Sequence, residues 1–287
     1  MDIGIGLPAT IPGVDRDSLL DWARRADQRG FASLGVIDRI VYPNYEPLIA
    51  LAAAAAVTER IRLATAILIG PYRLNTALLA KQVATVDSLS AGRLVLGIAI
   101  GARPDDYEAS GAPLEGRGRR LDQQLDELKR LWSGEERGFA GAVGPPPASE
   151  GGPSMILGGQ VDAAFRRAAR FGDGWIMGGG TPEDFGAGAD KMREAWSEAG
   201  RDGEPRLMAL CYFALGDGAA DAADSYLHDY YAFAGDYADQ IVAGAATDEE
   251  TIKGYASGFS QAGCQELICF PCSKDPRQVD LLAEAVL

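Results

Sequence analysis

The chain has 287 residues, 47% of them hydrophobic, and its 41 acidic side chains outnumber 27 basic ones for a formal net charge of −14. That length suits one barrel domain over residues 1–287, although two domains of average size would also fit. The negative charge argues against nucleic acid and anionic membranes as partners. No stretch is apolar for long enough to cross a bilayer and the N-terminus lacks a signal-peptide pattern, so we expect a cytoplasmic protein.

The first half of the sequence alternates apolar runs with amphipathic segments. Four runs predict strands: 3–7, 34–37, 62–69 and 94–100. A helix follows each run, and Asp15 or Asp17 caps the first one, which Gly30 ends. The second helix begins near Pro47, the third runs from Asn75 to Gly92, and the fourth is centred on 121–132.

The second half repeats this order after a Gly/Pro-rich surface loop at 134–153. Further strands are predicted at 155–157, 175–177, 207–213 and 267–270. Eight strand–helix units indicate a closed (β/α)8 barrel, with an open doubly wound sheet as the alternative. The open sheet would place a glycine-rich phosphate loop after the first strand, where this chain has two prolines at 8–13 and no G-x-G-x-x-G. The barrel is therefore favoured.

One connection is much longer than a barrel loop requires. Residues 216–248 follow the seventh strand and carry Tyr226, Tyr230 and Tyr231. On the C-terminal rim of a barrel such a segment predicts a lid or a substrate wall. The alternative is an extra helix that packs its aromatic side chains on the side of the barrel.

Three stretches carry a family resemblance. They are 79–101, 117–132, and Ile156-Leu157-Gly158-Gly159 followed by Phe171-Gly172-Asp173-Gly174-Trp175. In this order and spacing the chain resembles the luciferase-like flavin-dependent oxidoreductases, including their branch that uses the deazaflavin coenzyme F420. The similarity covers nearly the whole chain and extends to 243–247 and 262–267.

A phosphate site is expected where Gly158 and Gly159 end a strand before a helix. Glycines let backbone N–H groups approach a phosphate, and the helix N-terminus adds its positive dipole end. A tight turn that needs glycine is the alternative. Gln160 belongs to the same turn, and Asp162 must point away from an anion or cap the helix.

The resemblance also implies where the isoalloxazine ring lies. Relatives hold it over the barrel mouth against a bulge that ends the third strand and often contains a cis peptide bond. The matching residues are Ala66 and Ile67, so we predict a cis bond between them, with a plain buried strand as the alternative. Ile100, Gly101 and Trp175 complete the cofactor-binding set that the resemblance implies.

Two departures from the family pattern concern the catalytic and substrate residues. Asp38-Arg39 stands where the family often has Asp-His, and an arginine cannot act as the base because it stays protonated. We expect Arg39 either to stabilise an anionic flavin or acidic substrate group, or to form an ion pair with Asp38 or another rim carboxylate. Leu74-Asn75-Thr76 stands where relatives commonly have three residues in this order: an Arg, then a His or an Asn, then a Pro. Asn75 and the three tyrosines of the long connection are the substrate candidates.

The only histidine, His228, has the right pKa range for acid–base catalysis, although a solvated surface role suits its polar surroundings better. Cys269 and Cys272 have the spacing of a redox dithiol, yet they lie at the end of a strand, which favours buried structural cysteines. A metal would need further ligands, and only Cys264 or His228 could supply them. No metal site is expected.

The leading functional hypothesis is a monooxygenase that uses reduced FMN and O2 on a small organic substrate, with a flavin reductase as a possible supplier of reduced FMN. The alternatives are F420-dependent hydride transfer and a flavin-binding barrel without turnover. The polyanionic tail of F420 would need rim cations, for which the candidates are Arg103, Arg117, Arg119 and Arg120. Relatives are commonly homodimers that bury helices beside the second and third strands, and the small-residue segment 51–57 suits such contact.

Overall fold

The computed structural model describes residues 1–287, in which eight parallel strands close into a barrel in sequence order. The strands are β1 (Asp2–Gly6), β2 (Ser33–Val36), β3 (Arg62–Ile69), β4 (Leu94–Ala99), β5 (Ser154–Gly158), β6 (Gly174–Met177), β7 (Arg206–Phe213) and β8 (Glu266–Pro271). Pairing of β1 with β8 closes the ring. The (β/α)8 prediction is confirmed, and every predicted strand end lies within one residue of its place in the structure.

Eleven helices surround this barrel. They are α1 (Arg16–Arg29), α2 (Pro47–Ala55), α3 (Thr76–Leu89), α4 (Pro104–Ser110), α5 (Arg117–Trp132), α6 (Asp162–Phe171), α7 (Pro182–Glu198), α8 (Ala219–Tyr230), α9 (Tyr237–Ala243), α10 (Glu249–Gln261) and α11 (Arg277–Val286). Asp15 caps α1 and Gly30 ends it, as predicted. None of the helices is both long and apolar enough to cross a membrane.

The core has two layers because strand side chains alternate between the helices and the barrel interior. The outer layer packs the helices on the strands around Trp22 and Phe185. The inner layer fills the barrel with side chains such as Ile268 and Phe270. All six residues of β4 are buried, as expected for a parallel strand covered on both sides.

For the long connection after β7 the sequence left two alternatives, a substrate wall and an extra helix, and the structure contains both. It forms α8, a short 3-10 turn and α9, so the extra helix exists. Tyr230 and Tyr231, at the end of α8, also line a cavity at the barrel mouth. The connection is therefore helical and forms part of the cavity wall.

Candidate active site at the barrel mouth

A cavity of about 720 Å³, partly open to solvent, lies at the C-terminal ends of the strands. Its lining comes from the ends of β2, β3, β4, β6 and β7 and from the connection after β7. Twelve of its 17 lining residues are hydrophobic, which suits a flat organic ligand held by few polar groups. This end of the barrel is the one that carries active sites in this fold.

The wall contributed by β3 is irregular. Its register shifts between Thr65 and Leu68, and the Ala66–Ile67 peptide bond is cis, which confirms that prediction. Ala66 and Ile67 both line the cavity. The neighbouring β4 approaches closely at Gly97, where a Cβ atom would lie 2.0 Å from the carbonyl oxygen of Thr65. A glycine is therefore required beside the bulge.

Asp38 lies at the cavity edge and is held by the loop after β3. Its carboxylate accepts hydrogen bonds from the Ile69 N–H at 2.8 Å and from Arg73 at 2.9 and 3.3 Å. Burial raises the pKa of the Asp38 carboxyl, and the positive charge of Arg73 opposes that effect. Arg73 also contacts Glu46 at 2.8 Å, which joins the start of α2 to this loop.

Arg39 is buried and turns away from Asp38. Its guanidinium donates to Asp106 and to Asp105, each at 2.7 Å, and only 4% of its side chain is exposed. Of the two ion pairs that we considered for Arg39, the one with Asp38 does not form, and the one with another rim carboxylate is confirmed. Two carboxylates and the Val41 carbonyl oxygen occupy Nε and Nη2 and already balance the charge of Arg39, so it is not poised to bind an acidic substrate.

Tyrosine side chains form the wall opposite β3. The hydroxyls of Tyr212 and Tyr231 lie 2.7 Å apart, and Tyr230 lines the cavity beside them. Tyr226 lies behind this wall, where its hydroxyl is 2.6 Å from the Thr10 hydroxyl. Burial raises the pKa of all four phenols, so they remain neutral hydrogen-bonding groups at ordinary pH.

The glycine turn after β5 exposes the backbone of Gly159 to solvent. Gly159 has a φ of +123°, which favours glycine, and a Cβ at Gly158 would lie 2.5 Å from the Ile67 side chain. Gln160 is exposed, and no side chain caps the start of α6. Asp162 lines a groove between α6 and α7, so it does not satisfy the first N–H groups of α6.

Eight predicted site residues do not line the mouth cavity: Arg39, Asn75, Ile100, Gly158, Gly159, Gln160, Trp175 and Tyr226. Trp175 is fully buried against Phe165 and Phe185, and its indole N–H donates to the Gly159 carbonyl at 2.7 Å. It therefore positions the glycine turn from behind. Ile100 packs on the outer core layer while Gly101 lines the cavity. Asn75 is exposed and its side chain caps α3.

The lining residues that were not predicted include Tyr72, Asp106 and Tyr107, whereas Arg103 was named only as a rim cation for the cofactor tail. All of these follow β3 or β4, and residues just beyond barrel strands are where site residues concentrate. The short helix α4 that carries two of them was also missed, although Pro104 begins it and Gly111 follows it with a φ of +71°. Those are ordinary start and stop signals.

His228 and the cysteines lie away from the cavity wall described here. His228 bridges Asp224 at 3.1 Å and Asp239 at 2.9 Å on the exposed side of α8 and α9. The Cys269 sulfur faces Cys211 at 3.7 Å, while Cys272 belongs to the inner layer, so Cys269 and Cys272 do not form a dithiol pair. No three His, Cys, Asp or Glu side chains converge to hold a metal ion.

Comparison with curated proteins identifies relatives with two kinds of cofactor. An uncharacterized protein of Mycobacterium tuberculosis is 34% identical over 175 residues, which is 58% of this chain and 61% of that protein. An FMNH(2)-dependent dimethylsulfone monooxygenase of Pseudomonas putida is 27% identical over 222 residues, covering 74% of this chain and 56% of the relative. An F420-dependent glucose-6-phosphate dehydrogenase of Nocardia farcinica is 29% identical over 195 residues, covering 62% of this chain and 58% of the relative. The chain thus matches about three fifths of the length of these relatives.

Solved structures share the fold along the whole chain. An F420-dependent secondary alcohol dehydrogenase superposes with a TM-score of 0.84 at 19% identity, covering 100% of this chain and 98% of its own. The monooxygenase RslO1 from Streptomyces bottropensis superposes with a TM-score of 0.77 at 21% identity, covering 100% of this chain and 98% of its own. The family model described as luciferase-like monooxygenase matches residues 1–262. Flavin- and F420-dependent oxidoreductases make up this family, and the chain belongs to the luciferase-like monooxygenase family.

Proposed function

We propose that the mouth cavity binds reduced FMN and that the chain is a monooxygenase acting on a small organic substrate. The observation that carries this proposal is the largely apolar cavity over the Ala66–Ile67 bond, closed on its other side by neutral tyrosines. A flavin reductase that supplies reduced FMN is part of the proposal.

The residues present fit a phosphorylated tricyclic cofactor. The Tyr72 hydroxyl is buried at the cavity beside Asp38 and Arg73 and forms no hydrogen bond of good geometry, so its proton can turn to Asp38 or to a ligand. Gly158 and Gly159 would hold the phosphate beside the start of α6, whose first N–H groups have no side-chain cap. Ala66, Ile67 and Gly101 would contact the ring.

When bound, reduced FMN supplies the electrons that allow one atom of O2 to be transferred to a substrate. The chain supplies the surroundings for that chemistry. Apolar side chains such as Ile37 and Ile69 would shield a bound ring from water, and the end of α8 with the adjoining 3-10 turn lines one side of the cavity. Tyr230 and Tyr231, neutral because burial raises their pKa, would orient the substrate by hydrogen bonds.

The acid–base groups of the cavity favour oxygen transfer over oxidation of an alcohol. Removing hydride from an alcohol releases a proton that a base must accept. No histidine lines this cavity, and its two carboxylates, Asp38 and Asp106, are each engaged by an arginine. A monooxygenase does not need such a base on the substrate hydroxyl.

A second candidate is reduction of a substrate by F420-dependent hydride transfer. The tyrosine hydroxyls, which keep their protons, favour it because a reduction consumes a proton that they could donate. Of the rim cations considered for the cofactor tail, Arg117 and Arg120 are hydrogen bonded to the carbonyls of Gly101 and Pro71, whereas Arg119 is exposed.

Titration with FMN and F420, followed by oxygen uptake with reduced FMN and candidate substrates, tests the proposal. FMN should bind more tightly and support substrate-dependent oxygen uptake.

Gly178→Trp places an indole at the cavity, where a Cβ meets no atom within 4 Å, and it should abolish cofactor binding. Gly254→Trp on exposed α10 is the matched control. Tight binding of F420 alone favours the second candidate, and binding of neither cofactor contradicts both.

We also propose that the chain forms a homodimer through α2 and α3. Ile49, Leu74 and Leu78 each expose more than half of their surface on these neighbouring elements, at 64%, 57% and 51%. The Arg73–Glu46 contact holds the two elements together. Ile49→Asp combined with Leu78→Asp should give monomers in sedimentation, and a wild-type monomer would contradict the proposal.

A further inference from the structure

Arg103 stands at the edge of the mouth cavity among three aromatic rings. Its guanidinium carbon lies 3.9 Å from the ring centre of Phe233, 4.5 Å from that of Tyr230 and 5.3 Å from that of Tyr231. The Nη1 group donates to the Tyr230 carbonyl at 3.0 Å. These contacts fix the position of a positive charge beside the cavity.

Unlike Arg39 and Arg73, which also lie close to the cavity, Arg103 has no carboxylate partner. Asp38 and Glu46 pair with Arg73, and two aspartates pair with Arg39. No ion pair involves Arg103, although the chain carries 41 acidic side chains. Its single hydrogen bond uses Nη1, which leaves Nε and Nη2 without partners.

The free edge of this guanidinium has a defined chemical preference. Nε and Nη2 present two parallel N–H donors, which match the two oxygens of a carboxylate or a phosphate. The surrounding cavity is mostly apolar, so a charge-assisted contact there is stronger than one in water. A neutral ligand would leave this charge without a partner.

We propose that Arg103 binds an oxyanion, a carboxylate or a phosphate, in the mouth cavity and so selects anionic ligands. The inference rests on the proposed function, because the mouth cavity must be the ligand site. The oxyanion has two possible sources, the phosphate of the cofactor or an acidic group of the substrate. Both present the same chemistry to Arg103.

A purely structural role makes a different prediction. If Arg103 only stacks on Phe233 and Tyr230 to hold the connection after β7, an apolar side chain of similar length would preserve most of that packing. Arg103→Met keeps the length and removes the charge, and Arg103→Lys keeps the charge and removes the paired donors. Arg24→Met on α1 is the matched control, since Arg24 is exposed, forms no ion pair and has no proposed role in binding.

The first measurement compares FMN with riboflavin, which has the same ring and no phosphate. Quenching of flavin fluorescence gives the affinities of the wild type and the three variants. If the cofactor supplies the oxyanion, the wild type prefers FMN by about tenfold and Arg103→Met loses that preference, which is the scale of one charge-assisted pair. The riboflavin affinity of every variant, and both flavin affinities of the Arg24→Met control, should stay within about twofold of the wild type.

The second measurement uses benzoate and benzyl alcohol as probes of the substrate side, by calorimetric titration with and without flavin. If the substrate supplies the oxyanion, the wild type prefers benzoate by about tenfold, Arg103→Lys retains part of the preference and Arg103→Met none. This measurement needs no turnover and no bound cofactor. It therefore shows whether Arg103 binds an oxyanion even if FMN does not bind and the proposed function is wrong.

Loss of the anion preference in either measurement supports the inference and identifies the source. The inference is overturned if folded Arg103→Met keeps the wild-type preferences, or if the wild type prefers neither anion to its neutral partner. Thermal melting of each variant verifies folding. If Arg103→Met does not fold, Arg103→Lys decides in its place, because unchanged preferences in that variant contradict recognition by paired donors.

Discussion

Arg73 and Asp38 form an ion pair with two hydrogen bonds, at 2.9 and 3.3 Å, across the gap between the loops that follow β3 and β2. The carboxylate is almost completely buried, with 1% of its side chain exposed, and Arg73 is 15% exposed. Arg39, which follows Asp38 in sequence, pairs instead with the start of α4. The two arginines thus connect three loops around the cavity.

Removing one partner of this pair should destabilise the protein. Arg73→Met leaves the Asp38 carboxylate buried without its cation, which should lower the free energy of unfolding by about 3–5 kcal/mol. Asp38→Asn in the same background should recover part of that loss. Chemical denaturation of the two single variants and the double variant measures this, and a loss below about 1 kcal/mol would contradict it.

The penalty in Arg73→Met should also depend on pH. Burial already raises the pKa of Asp38, and Arg73 opposes that effect, so its removal raises the pKa further. A carboxyl group with a raised pKa in the folded state is penalised only while it is charged. The stability deficit should therefore shrink as the pH falls through the raised pKa, and a deficit that stays constant down to pH 4 would argue against this cause.

A buried carboxylate at the other end of the barrel should have a comparable effect on stability. Glu266 is fully buried at the start of β8 and contacts Arg62 at 2.9 Å and Arg206. Glu266→Ala should cost about 3–5 kcal/mol, because it removes a buried carboxylate shared by two partly buried arginines and leaves Arg206 without an ion-pair partner. Asp2→Asn is the control, since Asp2 pairs with Arg62 at an exposed position and its loss should cost less than about 1 kcal/mol. Equal losses would show that the burial of Glu266 does not matter.

The contact between α8 and α9 should be sensitive to pH. The hydrogen bond with Asp239 raises the pKa of His228, and Asp224 adds to the effect. Because the pKa is raised in the folded state, the stabilisation is complete below the ordinary histidine pKa and is lost as the pH rises through the raised value. Hydrogen exchange corrected for intrinsic rates should show more protection of α9 at pH 6 than at pH 9. His228→Gln should remove that difference, and its persistence in the variant would assign it to another group.

Glycine at position 97 should be indispensable for the wall of the cavity. A Cβ there would lie 2.0 Å from the Thr65 backbone oxygen, which a side-chain rotation cannot relieve. Gly97→Ala should cost at least about 3 kcal/mol and weaken flavin binding, because the displaced β3 carries Ala66 and Ile67. Gly186→Ala in α7, where the nearest atom is 3.8 Å away, should instead stabilise by about 1 kcal/mol. Denaturation and flavin titration of both variants measure the contrast, and a harmless Gly97→Ala would contradict the close approach.

The barrel could be predicted from sequence because its strands are buried on both faces. Such strands are nearly continuous apolar runs, as in β4, and each is separated from the next by an amphipathic segment. The cis bond at Ala66–Ile67 came from the family resemblance and was correct. Local signals also located the caps at Asp15 and Asn75.

The side-chain pairing at the rim could not be predicted in this way. Arg39 and Asp106 are 67 residues apart and meet only because β2 and β4 end at the same edge of the barrel. Trp175 follows the glycine turn in the family pattern, yet its side chain points to the outer layer, since successive strand residues face opposite sides. Which face a short strand turns inward is set by the closed barrel, and four-residue β6 gives too little alternation to reveal it.

The most direct test of the account is a crystal structure of the protein saturated with FMN. We predict density for the three-ring system in the mouth cavity, with one face against Ala66 and Ile67 and the phosphate at the turn formed by Gly158 and Gly159. Saturated protein that holds the flavin elsewhere, with the mouth cavity filled by side chains of the connection after β7, would contradict a flavin site at the barrel mouth.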